Sequence, residues 1–183
     1  MSLNDHPADV LLNVTSYQAR FLADLRKSEV EFLLIGGIAM RAHGIERPTI
    51  DLDIFVARSK ANVKRLLPLI ASRLPDPNPK LNVDWLSLPE KRIAFPDIEH
   101  NEIDMLTAIG SLDFKSSFSN RIMVEVNSLQ VPVMGLRELI YSKLVSFDAN
   151  NPTEGKERDL KDIAVLIEIW QQRHDKPYKR EPA

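Results

Sequence analysis

The chain has 183 residues, 44% of them hydrophobic and 27% charged, with a formal net charge of −2; this balance suits one folded domain and offers no global attraction for nucleic acid. It contains no cysteine, which excludes disulfides and thiolate metal sites. The N-terminus MSLNDHPADV has neither a basic segment nor an apolar one, and no apolar run reaches membrane-span length, so the expected setting is the cytoplasm with no membrane partner.

Apolar residues at Val10, Val14, Tyr17, Phe21 and Leu25 recur at helical spacing and predict a helix over Asp9–Lys27. EFLLIG, Glu31–Gly36, reads as a short buried strand. GIAMRAHG, Gly37–Gly44, reads as two helical turns that Gly44 closes. TIDLDIFVA, Thr49–Ala57, alternates as a strand: Ile50, Leu52 and Ile54 on one face, Asp51, Asp53 and Phe55 on the other. Ser59 caps a helix toward Leu74, with a kink expected at Pro68.

Four prolines between Leu74 and Glu90 predict mostly loop. Two strands follow, near Arg92–Phe95 and Glu102–Ala108. RIMVEV and LQVPV flank Asn127-Ser128 as a hairpin, with Pro132 placing its strand at a sheet edge. Two helices, Leu136–Phe147 and Lys156–Trp170, enclose the polar loop DANNPTEG. The second turns Leu160, Ile163, Ile167 and Trp170 to one face. The tail HDKPYKREPA is expected to fray. There is no internal repeat. The pattern predicts an α/β or α+β fold, a sheet with helices packed on one side.

Asp51 and Asp53 pose a physical problem. Residues two apart on a strand point the same way, roughly 6–7 Å apart at the backbone. Two like charges at ~4 Å repel by about 4 kcal/mol at an effective dielectric of about 20. Solvent, a basic residue or a cation must offset this, and a hard divalent ion takes one or two carboxylates together with substrate phosphates. A D-x-D pair alone also fits solvated carboxylates at a sheet end. Two companions favour the cation. Gly36-Gly37 lies at a strand-to-helix turn, where backbone approaches a ligand and N–H groups favour an anion. Asp104, in NEIDMLTA, is a lone acid in an apolar stretch; Glu102 shares its parity and is the alternative third acid. Three carboxylates beside a phosphate-accepting turn suit displacement at phosphorus with two metals.

With these residues in view, GG followed by GIERPTIDLDI resembles the G-[G/S]…D-x-D signature of nucleotidyltransferases related to DNA polymerase beta. The G-x-x-R-x-T-x-D-x-D form is similar to that of bacterial minimal nucleotidyltransferases, abortive-infection toxins of type IV toxin–antitoxin systems and antibiotic nucleotidyltransferases. Lys143 in LRELIYSKL, with Arg158-Asp159-x-x-Asp162 in KERDLKDIAVL, resembles the helical part of the toxin-like group. The likeness runs roughly from Glu31 to Leu166. Gly36-Gly37 stands where the family often has Gly-Ser, so backbone must make any phosphate contact of that serine.

The resemblance implies a nucleotidyltransferase fold with a core and N-terminal helix over 1–134 and a C-terminal helical segment over 135–183 packed on it. It implies an Mg²⁺-dependent enzyme with two ions. Asp51 and Asp53 hold both ions and Asp104 holds the catalytic one. A nucleoside triphosphate, ATP among the candidates, gives its monophosphate to an acceptor hydroxyl and releases pyrophosphate. Gly36 and Gly37 cradle the outer phosphates, and Lys143 and Arg158 reach the nucleotide from the helices. Lys143 and Arg158 alternatively form helix salt bridges with Glu138 or Asp162. Arg47 neutralises the triphosphate, pairs with Asp51, or stays a surface arginine. The acceptor is an RNA, a protein or a small molecule, and an antitoxin protein is an implied partner. Two other readings stand beside this one: an inactive binding protein of the same fold, and an antibiotic nucleotidyltransferase.

His43 is expected to be a local cap or surface residue rather than a base. Arg58, Lys60, Lys64, Arg65 and Arg73 form a basic helix, read as a solvated face or, alternatively, a patch for RNA. Trp85 and Trp170 read as packing residues. The loop Pro75–Pro89 is expected to border the active-site opening.

Overall fold

The computed structural model describes residues 12–74, 80–96, 102–149 and 153–174. Thirteen elements follow in chain order: α1 Ser16–Lys27, β1 Phe32–Leu34, α2 Gly36–Ala42, β2 Leu52–Val56, α3 Lys60–Ala71, α4 Val83–Leu86, β3 Arg92–Pro96, β4 Glu102–Leu106, α5 Phe114–Ser119, β5 Ile122–Val126, β6 Leu129–Val133, α6 Leu136–Ala149 and α7 Thr153–His174. The strands form one mixed sheet in the order β3-β4-β2-β1-β6-β5. β2 lies parallel to β4 and antiparallel to β1, while β1 lies parallel to β6.

α1 starts at Ser16 rather than Asp9; residues 9–11 of the expected helix lie outside the described residues. Its start is set by a capping box. Thr15 Oγ1 accepts from Gln18 N–H and Gln18 Oε1 accepts from Thr15 N–H, so two otherwise orphaned donors are satisfied. Gln18 is buried, and its amide donates to Ile50 O at 2.7 Å. A helix cap is thus tied to the segment just before the D-x-D pair.

One sheet face packs on α1 and α3 through Phe21, Leu22, Leu25, Val63, Leu66 and Ile70. Phe21 meets Phe95 edge-on with ring centroids 5.6 Å apart. Phe95 pairs with Ile103, while Ala94 pairs with Asp104, so this helix layer covers the face opposite Asp104. Residues of α6 and α7 line a cavity on the aspartate side. Helices therefore stand on both faces, not on one as the element pattern suggested. Among the described residues, no helix is long and apolar enough to cross a membrane.

Several local expectations are corrected. β6, which carries Pro132, is an interior strand, and β5 is the edge. A proline fits there because the register with β1 is confined to Leu34 and Val133, so the missing N–H interrupts little ladder. The β5–β6 hairpin closes through Asn127 and Ser128, both at positive φ (49° and 65°), the backbone of a two-residue primed turn. α3 continues through Pro68 and ends at Ala71. Within the proline-rich stretch, Asn82 caps the short helix α4, while 75–79 lie outside the described residues, as do 150–152 of the polar loop and 175–183 of the tail. Ile50 is 64% exposed, so it precedes the strand rather than joining its apolar face.

Candidate active site

The site begins with the turn from β1 into α2. Gly36 has φ +62°, a left-handed conformation that costs an L-residue energy and glycine almost none. A Cβ there would stand 2.0 Å from Asp53 Oδ2. Gly36 therefore lets the backbone turn and makes room for the carboxylate beside it. Gly37 is closed by a different neighbour: a Cβ on it would come within 2.6 Å of the Thr49 side chain. A Gly-Ser pair would displace Thr49, which explains why this chain has Gly-Gly. Replacing Gly36 by Ala is expected to destabilise the protein by about 2 kcal/mol from backbone strain and displacement of Asp53. Chemical denaturation measures this, and an unchanged midpoint would mean that the turn relaxes freely.

The segment from Gly44 to Asp51 is held from two sides. Arg41 donates to the carbonyls of Arg47, Thr49 and Leu12 at 2.9, 2.9 and 3.1 Å, and Gln18 holds Ile50 O. The chain enters β2 with Asp51 just before the strand and Asp53 within it. Asp53 pairs in register with Asp104 of the parallel strand β4, so the two side chains share one face. Asp51 Oδ1 accepts from Glu102 N–H at 2.9 Å, which ties the D-x-D segment to the start of β4.

Asp51, Asp53, Asp104, Gly36, Gly37, Arg47, Lys143 and Arg158 all line one cavity of about 660 Å³. The structure thus gathers every expected site residue. Glu102 is half exposed and does not line that cavity; Asp104 is the acid placed there.

Charge in the cavity is uneven. The Asp53 carboxyl is pushed from its ordinary 3.8 up to about 6. Burial is the largest cause, and the neighbouring Asp104 and Asp51 charges add to it, against Lys143 and Arg47. Among the described residues the Asp53 carboxylate accepts no hydrogen bond, so its ionised form lacks the support that normally stabilises a sheltered carboxylate.

The basic residues are committed to particular acids. Arg47 Nε donates to both oxygens of Asp162 at 3.0 and 2.9 Å; it does not pair with Asp51. Lys143 Nζ lies 3.2 Å from Asp159 and 2.8 Å from Asp162. Ser146 donates to Asp159 at 2.8 Å. A buried chain of alternating charge, Arg47–Asp162–Lys143–Asp159, therefore joins the loop before β2 to α6 and α7. The salt-bridge alternative for Lys143 holds for Asp162, whereas Glu138 instead accepts from Asn120. Arg158 is exposed at the cavity wall and has no ion pair among the described residues.

Sequence reasoning missed Arg92. Its Nε donates to both oxygens of Asp104 at 2.9 and 2.8 Å, and the contact with Asp104 raises the Arg92 pKa above its ordinary value. It also missed the role of Asp159, whose side chain is 1% exposed. Arg92 lies two residues from Ala94, the register partner of Asp104, so the two side chains share a face only because β3 pairs with β4.

The other expectations divide. His43 is the C-cap of α2, as a local cap was expected, but it is 3% exposed and its Nε2 lies 2.8 Å from Met134 O, so it is a buried structural residue and not a surface one. Trp170 is exposed and stacks on His174, whereas Trp85 packs against the core. The buried face of α7 carries Asp159, Asp162, Ile163 and Leu166, while Leu160 and Ile167 are exposed. In the basic helix, Lys60 pairs with Asp84 and Arg73 with Asp24, which breaks up the patch. Pro89 and Arg58 line a neighbouring cavity beyond the C-terminal ends of β2 and β4, which shares Ala108 and Gly110 with the first.

Among the described residues, no three His, Asp or Glu side chains already stand as a metal-holding cluster: Asp104 is turned to Arg92, and Asp51 holds the Glu102 amide. The donor chemistry nonetheless fits a hard divalent ion, since three carboxylates share one cavity and, among the described residues, the Asp53 carboxylate accepts no hydrogen bond.

Comparison with known proteins agrees with the geometry. The fold is similar to that in the crystal structure of an antigenic nucleotidyltransferase-like protein from Paracoccidioides brasiliensis, with a TM-score of 0.55 and 12% identity over 85% of this chain and 78% of that one. Among curated proteins none matches. Residues 20–179 match the family model described as nucleotidyl transferase AbiEii toxin, type IV TA system. With a match across most of its length, and with the glycine turn and three aspartates brought into one cavity, the chain belongs to the AbiEii family of nucleotidyl transferase toxins.

Proposed function

We propose that this chain transfers a nucleoside monophosphate from a nucleoside triphosphate, ATP among the candidates, to an acceptor hydroxyl. The bond from the acceptor oxygen to the α-phosphorus forms and the bond to pyrophosphate breaks. The observation that carries this reading is the pairing of Asp53 with Asp104 on parallel neighbours, with Asp51 two residues back and Gly36-Gly37 at the same cavity. Asp51, Asp53 and Asp104 would hold Mg²⁺, two ions in the full site, which supplies charge neutralisation at the reacting phosphate and lowers the pKa of the acceptor hydroxyl.

The protein's own groups bind and orient. The Gly36-Gly37 turn, which lines the cavity, would offer backbone N–H groups to the outer phosphates. Arg158, exposed at the cavity wall, offers a guanidinium to phosphate oxygens. Lys143 places an ammonium near Asp53 while anchored by Asp159 and Asp162. The partly enclosed cavity limits water around the transferred phosphoryl group. A toxin acting in a type IV system would use this chemistry on a cellular acceptor, with an antitoxin as its genetic partner.

The test is incubation of the purified chain with each of four α-labelled triphosphates and Mg²⁺, together with cellular RNA, protein or small-molecule fractions. Label is expected in one fraction from one preferred triphosphate, with stoichiometric pyrophosphate. No label and no pyrophosphate from any combination, while nucleotide still binds, would favour a binding protein that has kept the fold.

A further inference from the structure

Arg92 stands on the edge strand β3 and reaches across to β4. Its Nε sits between the two oxygens of Asp104, at 2.9 and 2.8 Å, and its Nη2 lies 3.5 Å from Glu102. Both oxygens that Asp104 would offer to a cation are thus engaged by one protein group. The Arg92 side chain is 60% exposed and that of Asp104 14%. The arginine is the partner that water reaches, while the carboxylate is sheltered within the sheet.

We propose that Arg92 is a counter-ion latch on the third carboxylate, holding Asp104 in the metal-free enzyme and leaving it when a divalent cation takes that carboxylate. The inference rests on the metal-holding role proposed for Asp51, Asp53 and Asp104. A guanidinium does not release its partner by losing a proton near neutral pH, so the exchange is a competition between two cations for the same oxygens. An ion pair whose cation is mostly in water contributes little, which makes the latch reversible at modest cost. Once displaced, Arg92 faces the cavity that would hold the triphosphate, and phosphate oxygens are good partners for a guanidinium. Metal alone must break the latch uncompensated, whereas metal with triphosphate gives Arg92 a new partner. The two ligands therefore bind cooperatively, and the coupling is carried by Arg92.

The test uses the full chain and Mn²⁺ alone, titrated by calorimetry or by the paramagnetic signal of free Mn²⁺. Arg92→Gln is expected to bind Mn²⁺ about fivefold more tightly than wild type, the upper range for an exposed pair. Arg158→Gln, which removes a charge at the same cavity without freeing a carboxylate, should gain less than twofold on the same scale. The enhancement of Mn²⁺ affinity by a non-hydrolysable triphosphate should shrink in Arg92→Gln. Equal gains in the two variants would reduce Arg92 to a general positive charge, and weaker Mn²⁺ binding by Arg92→Gln would make it a support for the site; either result overturns the latch. Wild-type Mn²⁺ affinity that survives Asp53→Asn and Asp104→Asn unchanged would instead overturn the metal-site reading, and the latch with it.

Discussion

Asp53→Asn will abolish nucleotidyl transfer and, in the same molecule, raise the stability of the metal-free protein at pH 7.5. The activity loss follows from removing one of the two carboxylates proposed to hold both ions; loss of several kcal/mol of charge stabilisation corresponds to about a thousandfold or more in rate. The stability gain follows from linkage. The folded-state pKa of about 6 lies above the ordinary 3.8, so the folded protein holds more protons than the unfolded one between these values. Wild-type stability therefore falls as pH rises from about 4 through about 6 and stays lower above that window. Asparagine removes the titration. Melting curves without metal should show the wild type losing stability across this window and the variant staying flatter, with a Tm a few degrees higher at pH 7.5. Added Mg²⁺ with triphosphate should then raise the wild-type Tm and leave the variant nearly unmoved. A variant strongly destabilised at pH 7.5 without metal would make Asp53 a structural acceptor and remove it from the chemistry.

The half of the cavity built by the glycine turn and the D-x-D pair was legible because its signals are local. Gly36-Gly37, Asp51 and Asp53 occupy one strand–turn–helix–strand unit, and period-two alternation fixes which face each aspartate takes. Asp104 was found by the oddity of an acid between Ile103 and Met105, both buried. Pairing β2 with β4 then placed it in register with Asp53. The hairpin at Asn127-Ser128 was legible for the same reason, since turn chemistry is carried by the turn residues themselves.

What the sequence concealed depends on long-range neighbours. The Arg47–Asp162 contact spans 115 positions and the Gln18–Ile50 contact spans 32, and no local pattern announces either. α7 is the clearest case. Its apolar residues Leu160, Ile167 and Trp170 suggested a buried stripe, but the buried face instead holds Asp159 and Asp162 beside Ile163 and Leu166. Periodicity assigns apolar residues inward unless buried acids find cations, and those cations come from α6 and from the loop before β2. Pro132 misled similarly: a missing N–H excludes an interior position only where the adjacent ladder runs past it, and here it scarcely does.

Lys143→Ala will be the most destabilising single truncation in the site. Lys143 is 10% exposed, and it is shared between Asp159, 1% exposed, and Asp162, 9% exposed. Its ammonium offsets two acids, of which Arg47 engages only Asp162. Removing one partner of a buried pair while leaving the other charged costs about 3–5 kcal/mol, which for a chain of this length lowers the Tm by roughly 10 °C. The loss should be non-additive. Asp159→Asn alone is expected to destabilise less, because Lys143 keeps Asp162, and Asp159→Asn added to Lys143→Ala should recover part of the stability by removing a buried carboxylate that has lost its ammonium. A double-mutant cycle by urea denaturation measures that coupling. Triphosphate affinity should fall in Lys143→Ala at temperatures where the variant is still folded, since the Arg47 segment and α6 share the cavity wall that this network holds. If the variant melts with the wild type yet loses nucleotide binding, Lys143 acts on phosphate directly and the buried network contributes nothing to stability. If it melts early and the Asp159→Asn addition recovers nothing, the destabilisation comes from lost packing of the lysine stem rather than from stranded charge.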